Sequence, residues 1–204
     1  CEIAAKPQPA NVLLSLASVL QKLHITDRSA LASAILGCRE NARTIADENQ
    51  LTLMTWYGIE PVVIETDLLG LLDSNPKLQQ FAVQRLAYEI SAKPSVAESA
   101  LQFIAAKAAS HRDEAVAAKL LTSFKLGLAG RARVEAPHDW STIEKQLRSG
   151  KSQEVLRAVD ALAVLFGDGA ALGDLRILAG DGNMDAVARE QAIAALAQAK
   201  DNDT

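Results

Sequence analysis

Histidine, the side chain most often used for acid–base chemistry near neutral pH, occurs three times in this 204-residue chain. His24, His111 and His138 lie far apart, and each falls at the boundary of a predicted helix, where capping or surface exposure accounts for it. The run His138-Asp139-Trp140 is the best candidate for a small polar site, although no other reactive residue adjoins it. Histidine placement therefore predicts neither a catalytic base nor a metal site.

Two glycine-containing runs match ligand-binding loops only in part. Asp181-Gly182-Asn183-Met184-Asp185 begins like a calcium loop, which requires glycine at its sixth position and glutamate at its twelfth, where Ala186 and Ala192 stand. Gly167-Asp168-Gly169 lacks the preceding strand and the spacing of a dinucleotide fingerprint. The sequence contains no nucleophile elbow, phosphate-binding loop or zinc-protease motif. We therefore predict no catalytic, cofactor-binding or metal-binding residue, no cofactor, and a chain that is not an enzyme.

The segment 51–63 concentrates large side chains in a chain that is only 4% aromatic. It contains Trp56 and Tyr57, whose bulk makes packing specific among many interchangeable alanines and leucines. Gly58 and Pro61 follow directly, and both disfavour a continuing helix. We therefore predict a helix that ends near Tyr57 with a break or kink. We expect Trp56 to be a core residue whose truncation to alanine costs about 3–5 kcal/mol.

Glu60 is the one acid in this aromatic segment, and its role can be interpreted in two ways. Because it is flanked by apolar residues, its ionised carboxylate needs a partner. Arg85 lies on the helix predicted to pack next, and its planar guanidinium could hold the carboxylate in two hydrogen bonds. We predict that Glu60 and Arg85 tether these two helices. The alternative is an enzyme module in which Glu60 stands free in a pocket as a general base.

The composition is ordinary for a globular domain and excludes several kinds of partner. The chain is 49% hydrophobic and 23% charged, with a net charge of −4 and scattered basic residues, so no nucleic-acid binding is expected. No apolar run approaches the roughly 20 residues of a membrane-spanning helix, so we expect no membrane insertion. Of the two cysteines, Cys38 is predicted to be a small buried residue, and a bridge to Cys1 stays an alternative. The start at Cys1, without a signal peptide, suggests an excised domain.

Apolar residues recur at helical spacing along the whole chain, and no strand-like alternation is sustained. The sequence therefore predicts an all-α fold of about ten helices. We expect a loose lead-in at residues 1–9 and a single helical-repeat domain at 10–200, in which a subdivision could fall near the connector 131–138. The predicted helices cover 10–23, 26–40, 51–57, 68–72, 76–90, 95–110, 113–128, 140–149, 152–166, 170–179 and 185–200.

Three of these helices share one pattern: alanine, a β-branched residue, two variable residues, leucine and alanine. The copies lie at 82–87, 158–163 and 192–197. The first and second copies lie about two periods apart, and the second and third copies lie one period apart, with a period of roughly 34–38 residues. Such a spacing is typical of stacked helix pairs. Before the last copy, a short helix, an aspartate-glycine turn and Arg189 follow one another in the order of a HEAT repeat. We therefore predict an α-solenoid, that is, a HEAT-like superhelix.

Specific residues within this pattern resemble a known protein family. From about residue 12 to 199, the chain is similar to the helical-repeat region of very large bacterial proteins. These proteins are often labelled membrane-bound dehydrogenases, or haem-binding domain proteins of planctomycete and verrucomicrobial type. The most specific run is Trp56-Tyr57-Gly58-Ile59-Glu60-Pro61. The matching runs are 16–23, Asp27-Arg28, Leu31-Ala32, 53–61, 81–87, Gly130-Arg131 with Pro137 and Trp140, and 165–168 before Leu175-Arg176.

In that family a β-propeller resembling sugar dehydrogenases precedes the helical repeats, and a cytochrome c domain follows them. This sequence has neither a propeller nor a Cys-x-x-Cys-His haem site. The resemblance therefore implies the middle scaffold, with those flanking domains or another protein as partners, and with export or a place in the cell envelope. Thr52 stands where proline is usual in the family, and Cys38 where histidine is usual, so any ligand role of that histidine is lost here.

These observations favour a non-catalytic helical-repeat scaffold or interaction module, the middle segment of a larger dehydrogenase or cytochrome protein. Two other functions stay open. One is a free-standing adaptor that binds a peptide or protein in its groove, and the other is an enzyme module with a pocket near Glu60. A deep polar pocket around Glu60 favours the enzyme, whereas a shallow groove with Trp56 packed between helices favours the scaffold or the adaptor.

Overall fold

The computed structural model describes residues 2–110, 112–150, 152–167, 169–182 and 184–198, and all regular structure within these ranges is helical. The prediction of an all-α fold is therefore confirmed. Two short 3-10 helices, Leu69–Ser74 and Glu89–Ser91, flank α5. The α-helices are α1 (Ala10–Leu20), α2 (Ile25–Gly37), α3 (Arg39–Asp47), α4 (Asn49–Ile59), α5 (Pro76–Tyr88), α6 (Pro94–Ala108), α7 (Glu114–Gly127), α8 (Trp140–Arg148), α9 (Gln153–Leu165), α10 (Gly169–Gly180) and α11 (Ala186–Gln198).

The helices form two compact units, unit 1 over Cys1–Leu86 and unit 2 over Ala87–Thr204. The boundary between the units falls within α5. The predicted connector 131–138 lies inside unit 2, where Val134 N donates to Leu165 O at 2.9 Å, at the end of α9. The predicted single repeat domain over residues 10–200, and a subdivision near 131–138, stay predictions.

Unit 1 is built around α1 to α4, which contact one another and bury a core of leucine and isoleucine. The fully buried large side chains of this core are Leu13, Leu20, Ile35, Ile45, Leu51, Ile59, Leu68, Leu72 and Leu78. Each contributes about 1.5–3 kcal/mol of hydrophobic stabilisation, against which the entropy cost of ordering the chain must be set. This core holds the end of α4, where the predicted site residues lie.

A helix, α3, forms in the polar stretch that follows the second predicted helix. Only Asn41, Ala42 and Ile45 of α3 are buried, and this narrow stripe is sufficient to seat the helix against its neighbours. Thr52, which stands where the resembled family has proline, is buried in α4 and donates from Oγ1 to Ile45 O. Thr52 therefore provides a hydrogen bond between α3 and α4.

The prediction of a loose lead-in is wrong over residues 2–9, because Asn41 fixes this segment to α3. Asn41 Nδ2 donates to Ala4 O and Lys6 O, each at 3.0 Å, and its Oδ1 accepts from Gln8 N at 2.8 Å. The Asn41 side chain is fully buried, so these three bonds meet the requirement that buried polar groups be paired. The partners lie 33 to 37 residues away from Asn41, so no local pattern in the sequence reveals them.

Unit 2 contains α6 to α11, and alanine and leucine fill the contacts between its helices. In the copy of the repeated pattern at 158–163, the β-branched residue Val159 and the leucine Leu162 are both buried. In the copy at 192–197, Leu196 is buried but Ile193 is 49% exposed. The last copy therefore leaves part of its apolar face uncovered within unit 2.

Neither α2 nor α8 begins with a side-chain cap bond. The N-cap residue of α2 is His24, which makes no side-chain hydrogen bond to the helix. The N-cap residue of α8 is Asp139, which likewise makes no side-chain cap bond. Glu144, within the first turns of α8, instead pairs with Arg148.

Candidate functional site

The predicted partners Glu60 and Arg85 meet where the end of α4 contacts α5. Glu60 is the residue that follows α4, and its Oε1 accepts a hydrogen bond from Arg85 Nε. One turn earlier in each helix, the ring of Trp56 packs on that of Phe81, with centroids 5.5 Å apart. Because residues four apart share a helix face, the aromatic pair and the ion pair form adjacent rows across one contact. The predicted pairing of Glu60 with Arg85 is confirmed.

This ion pair is only partly buried. The Arg85 side chain is 24% exposed and the Glu60 side chain 35% exposed. Water therefore screens the attraction, and a pair in such a position contributes about 1 kcal/mol or less to stability. Its main effect is to fix the direction in which the chain leaves α4.

The aromatic helix ends two residues beyond the predicted end near Tyr57, because α4 continues through Gly58 to Ile59. A Cβ at position 58 would lie 2.7 Å from Leu20 Cβ and 3.3 Å from Ala17 O. These distances are shorter than ordinary van der Waals contact, so glycine is what lets α1 approach α4 this closely. The helix ends one residue after Gly58, at Ile59, shortly before Pro61, which has no amide hydrogen to continue the helical bonding.

Trp56 is only half-buried, and its neighbour Tyr57 is 58% exposed. The expectation of a core tryptophan is therefore wrong in part, since Trp56 packs on Phe81 but keeps some exposure to solvent. Leu53, one turn before Tyr57, is 38% exposed. We call Leu53, Trp56, Tyr57 and Phe81 the aromatic ridge. A group of accessible large apolar side chains is typical of a surface that meets a partner.

A cleft of about 700 Å³ opens beside the ion pair, within unit 1. Its walls come from the start of α2, from the turns that follow α4 and from α5. Ser29 Oγ and Thr66 Oγ1 share a hydrogen bond of 3.1 Å, which fixes α2 to those turns. Pro61 and Ile64 provide part of the apolar wall. The polar side chains of the lining are Thr26, Ser29, Glu60, Glu65, Thr66 and Arg85.

The polar groups of the cleft are suited to binding. Hydroxyls, carboxylates and a guanidinium can together donate and accept hydrogen bonds to a polar group of a ligand. Glu60 Oε1 accepts from Arg85, so one of the two carboxylate oxygens that a general base could use is already engaged. Within the described ranges, no group of three or more histidine, cysteine, aspartate or glutamate side chains is placed to hold a metal ion.

A second groove, of about 670 Å³, lies in unit 2 among α8 to α11, with Ala161 and Val164 in its apolar wall. At its edge Arg148 binds Glu144 and Asp160, each at 2.8 Å. Burial lowers the pKa of Arg148, but the hydrogen bonds and charges of the two carboxylates outweigh burial and raise the pKa above its ordinary value. Sequence reasoning missed this residue, although the four-residue spacing of Glu144 and Arg148 on a helix was a signal for the pair.

The histidines lie at helix boundaries, as predicted. His24 is exposed immediately before α2, and His138 is exposed in the turn before α8. Trp140, which follows His138 by two residues, is buried instead against Phe166, with ring centroids 4.7 Å apart. His138 and Trp140 therefore do not share a site. His111 lies outside the described residues.

The run 181–185 is a turn between α10 and α11, as predicted. Met184 N donates to Asp181 O at 3.2 Å. Asp185 Oδ2 accepts from Ala188 N at 3.3 Å, which is the geometry of a helix cap. Asn183 lies outside the described residues.

The run 167–169 follows a helix, since α9 ends at Leu165, so the strand that a dinucleotide fingerprint requires does not precede it. Gly167 has a φ of 71°, which glycine adopts without strain. A Cβ at this position would lie 2.5 Å from Arg133 Nε, so glycine also lets the connector lie against the end of α9. Asp168 lies outside the described residues.

Cys38 is buried and its thiol is free, as predicted for a small buried residue. It separates α2 from α3, and its Sγ lies 3.6 Å from Glu40 Oε2. Cys1, the partner in the alternative disulfide, lies outside the described residues.

Comparisons of this chain with models of protein families, with curated protein sequences and with solved structures find no match. The resemblance to the repeat region of propeller and cytochrome proteins therefore stays a prediction. In the described part of the chain, no helix is both long enough and apolar enough to cross a membrane.

Proposed function

We propose that this chain is a non-catalytic helical-repeat module that binds a protein partner through unit 1, by means of the aromatic ridge and the adjoining cleft. The observation that carries the proposal is Tyr57, 58% exposed beside a cleft lined by charged and hydroxyl groups. Tyrosine and tryptophan dominate binding energy at protein interfaces because each combines a large apolar surface with one polar group.

The proposed solenoid architecture is supported by the helix neighbours in unit 2. α6 contacts α7 and α8, and α9 also contacts α7 and α8. Such an alternation is what we would expect of stacked helix pairs in HEAT-like repeats, with α6 and α8 in one layer and α7 and α9 in a second. α10 and α11 pack on each other and on α9.

Membership of a larger protein is the part of the proposal that rests on the family resemblance. We propose that a β-propeller precedes this segment, that a cytochrome c domain follows it, and that the whole protein is exported or held in the cell envelope. The sequence of the full gene product tests this, with a Cys-x-x-Cys-His site expected after the repeats. A gene product with neither flanking domain would favour the free-standing adaptor.

An enzyme module is the second candidate, because the cleft of about 700 Å³ has Glu60 in its wall. It ranks second because Glu60 already binds Arg85. Turnover of an ester, phosphate or glycoside reporter would establish the enzyme if Glu60→Gln abolished it and Glu48→Gln left it unchanged. Glu48 is a matched control because it is exposed at the opposite end of α4.

Photo-crosslinking tests the binding module directly. Benzoylphenylalanine placed at position 57 of the natural protein should give a discrete adduct in the cells that produce it. The same group at position 126, where Leu126 of unit 2 is 55% exposed, serves as the control. Leu53→Asp should weaken the adduct formed from position 57. Equal labelling from both positions, or none from position 57, would overturn the proposal.

A further inference from the structure

We propose that a second copy of this chain binds to unit 2 about a two-fold axis. In this arrangement Ile177 of each copy enters the unit 2 groove of the other copy, and Asp174 of each copy pairs with Arg157 of the other. This surface belongs to unit 2, so the interaction does not depend on the proposed partner site in unit 1. The apolar floor of the groove, an exposed isoleucine beside it and two opposite charges at its edge favour the interaction.

The floor of the unit 2 groove is apolar and accessible. The apolar side chains of its lining are Ala161, Val164, Leu175, Leu178, Ala188, Ala192 and Ala195. Leu175 and Leu178 of α10 are only half-buried, although α9 and α11 both contact this helix. The volume of about 670 Å³ is several times the roughly 150 Å³ of a core cavity that holds a benzene ring. The groove therefore has room for large apolar side chains of a binding partner.

Ile177 is an exposed apolar side chain next to this groove. It is 73% exposed, and Val187 of α11 is 57% exposed. Ile177 follows Asp174 by three residues and precedes Leu178 by one, and both of those residues line the groove. A projecting side chain and a groove thus lie side by side on α10. A two-fold interface needs this combination, because each copy presents the same surface and must both give and receive the projecting side chain.

The groove also carries one unpaired charge of each sign. Arg157 on α9 and Asp174 on α10 line the groove and are exposed. Within the described ranges neither takes part in an ion pair, whereas Arg148 at the same groove binds Glu144 and Asp160. In a two-fold dimer the contact of Arg157 with Asp174 occurs twice, so all four of these charges meet a partner of opposite sign.

These charges favour a second copy over an unrelated partner. A different protein would have to supply an acid for Arg157 and a base for Asp174, at matching positions beside an apolar side chain for the groove. A second copy carries all three groups, because Arg157 and Asp174 line the groove and Ile177 adjoins it. The surface is therefore complementary to itself.

Sedimentation equilibrium of the full chain tests the interaction. A reversible equilibrium between monomer and dimer is expected. Ile177→Ser should raise the dissociation constant by about tenfold or more, because the lost apolar side chain occurs twice in a two-fold interface. Leu126→Ser is the matched control, since Leu126 is exposed on α7 and does not line the groove. A chain that stays monomeric at about 100 µM would overturn the proposal.

Charge reversal tests whether the pairing runs between copies. Arg157→Asp or Asp174→Arg alone puts like charges opposite each other at both contacts, so each variant should dimerise about tenfold more weakly. An equimolar mixture of the two variants should regain the affinity of the original chain. In the mixed dimer one contact joins the two reversed charges and the other joins the two original ones, so both contacts are attractive.

The mixture also distinguishes pairing between copies from pairing within one chain. If Arg157 and Asp174 interacted only within a chain, mixing the variants would leave the association as weak as in each variant alone, and that result would overturn the two-fold pairing. Equal weakening by Ile177→Ser and Leu126→Ser would likewise overturn it, because the apolar contact would not be specific to the groove. Circular dichroism should show that each variant folds, since all four substituted side chains are exposed.

Discussion

Single residues of unit 1 act through packing that their types alone do not reveal. Gly58 has the residue type of a helix terminator, yet it lies inside α4 with Leu20 of α1 against it. Tyr57, its neighbour, points away from the same contact and is exposed. Adjacent positions on one helix turn therefore serve a helix contact and an open surface, because successive side chains on a helix point about 100° apart.

Gly58→Ala should destabilise the protein, against the usual effect of this change in a helix. Alanine normally adds about 0.5–1 kcal/mol over glycine at helical positions. Here its Cβ would lie 2.7 Å from Leu20 Cβ, and we expect a loss of about 1–3 kcal/mol in the free energy of unfolding by urea. Gly37→Ala is the control, since no atom lies within 4 Å of a Cβ there. A gain at position 58 would contradict the close contact of α1 with α4.

Trp56→Ala should cost about 2–3 kcal/mol in the free energy of unfolding, less than the 3–5 kcal/mol expected for a fully buried aromatic residue. The reason is that Trp56 packs on Phe81 but is not fully buried, so its truncation removes less covered surface. Tyr57→Ala, at a site 58% exposed, is the matched control and should cost less than about 1 kcal/mol. Equal losses at the two positions would show that both side chains are surface residues.

At the scale of elements, unit 1 is joined by a few polar contacts between segments distant in sequence. Arg85 of α5 binds Glu60 after α4, and Asn41 of α3 holds residues 4–8. Arg28 of α2 donates to Gln21 O at 2.8 Å and closes the end of α1. Each contact pairs a group that would otherwise lack a partner at a helix end or in the core, so each fixes the orientation of an element.

Asn41→Leu should release the lead-in from α3. The substitution removes three hydrogen bonds and leaves Ala4 O without its donor and Gln8 N without its acceptor, so we expect a loss of about 2–4 kcal/mol in urea unfolding. Cleavage by a nonspecific protease within residues 2–8 should become faster. Asn11→Leu, at an exposed position of α1, is the control. Unchanged cleavage in the Asn41 variant would mean that other contacts hold the lead-in.

A double-mutant cycle with Glu60→Gln and Arg85→Met measures the tether at the end of α4. Both side chains are partly exposed, so solvent screens the attraction, and a coupling of about 0.5–1 kcal/mol is expected. The coupling should decrease in 1 M NaCl, where charges are screened over about 3 Å. A coupling indistinguishable from zero at low salt would show that the two side chains act independently.

At the scale of the whole molecule, the helices form two units, and an open cavity lies among the described residues of each. The unit 1 cleft is walled by a mixture of charged, hydroxyl and apolar groups. The unit 2 groove has an apolar wall with the Arg148 ion pairs at its edge. Of these two cavities, the unit 1 cleft is the one whose wall continues along α4 to the exposed Tyr57, which is why the proposed partner site lies there.

The purified chain should carry no haem and no stoichiometric metal. The sequence lacks Cys-x-x-Cys-His, and its two cysteines and three histidines form no ligand motif. We expect no Soret band in the absorption spectrum and no metal by elemental analysis of protein purified without a metal-binding tag. A Soret band or one metal ion per chain would contradict this expectation and reopen the question of a redox role.

The sequence by itself determined the all-α class and most helix bounds, because apolar periodicity and the positions of glycine and proline are local signals. It also predicted the pairing of Glu60 with Arg85, since a carboxylate among apolar residues requires a partner. Tertiary structure alone decided the role of Gly58, the hold of Asn41 on the lead-in and the exposure of Tyr57. Each of these features depends on which segment of the chain packs against the residue concerned. The helical periodicity of the sequence shows which residues share a helix face, but it does not show which segment that face contacts.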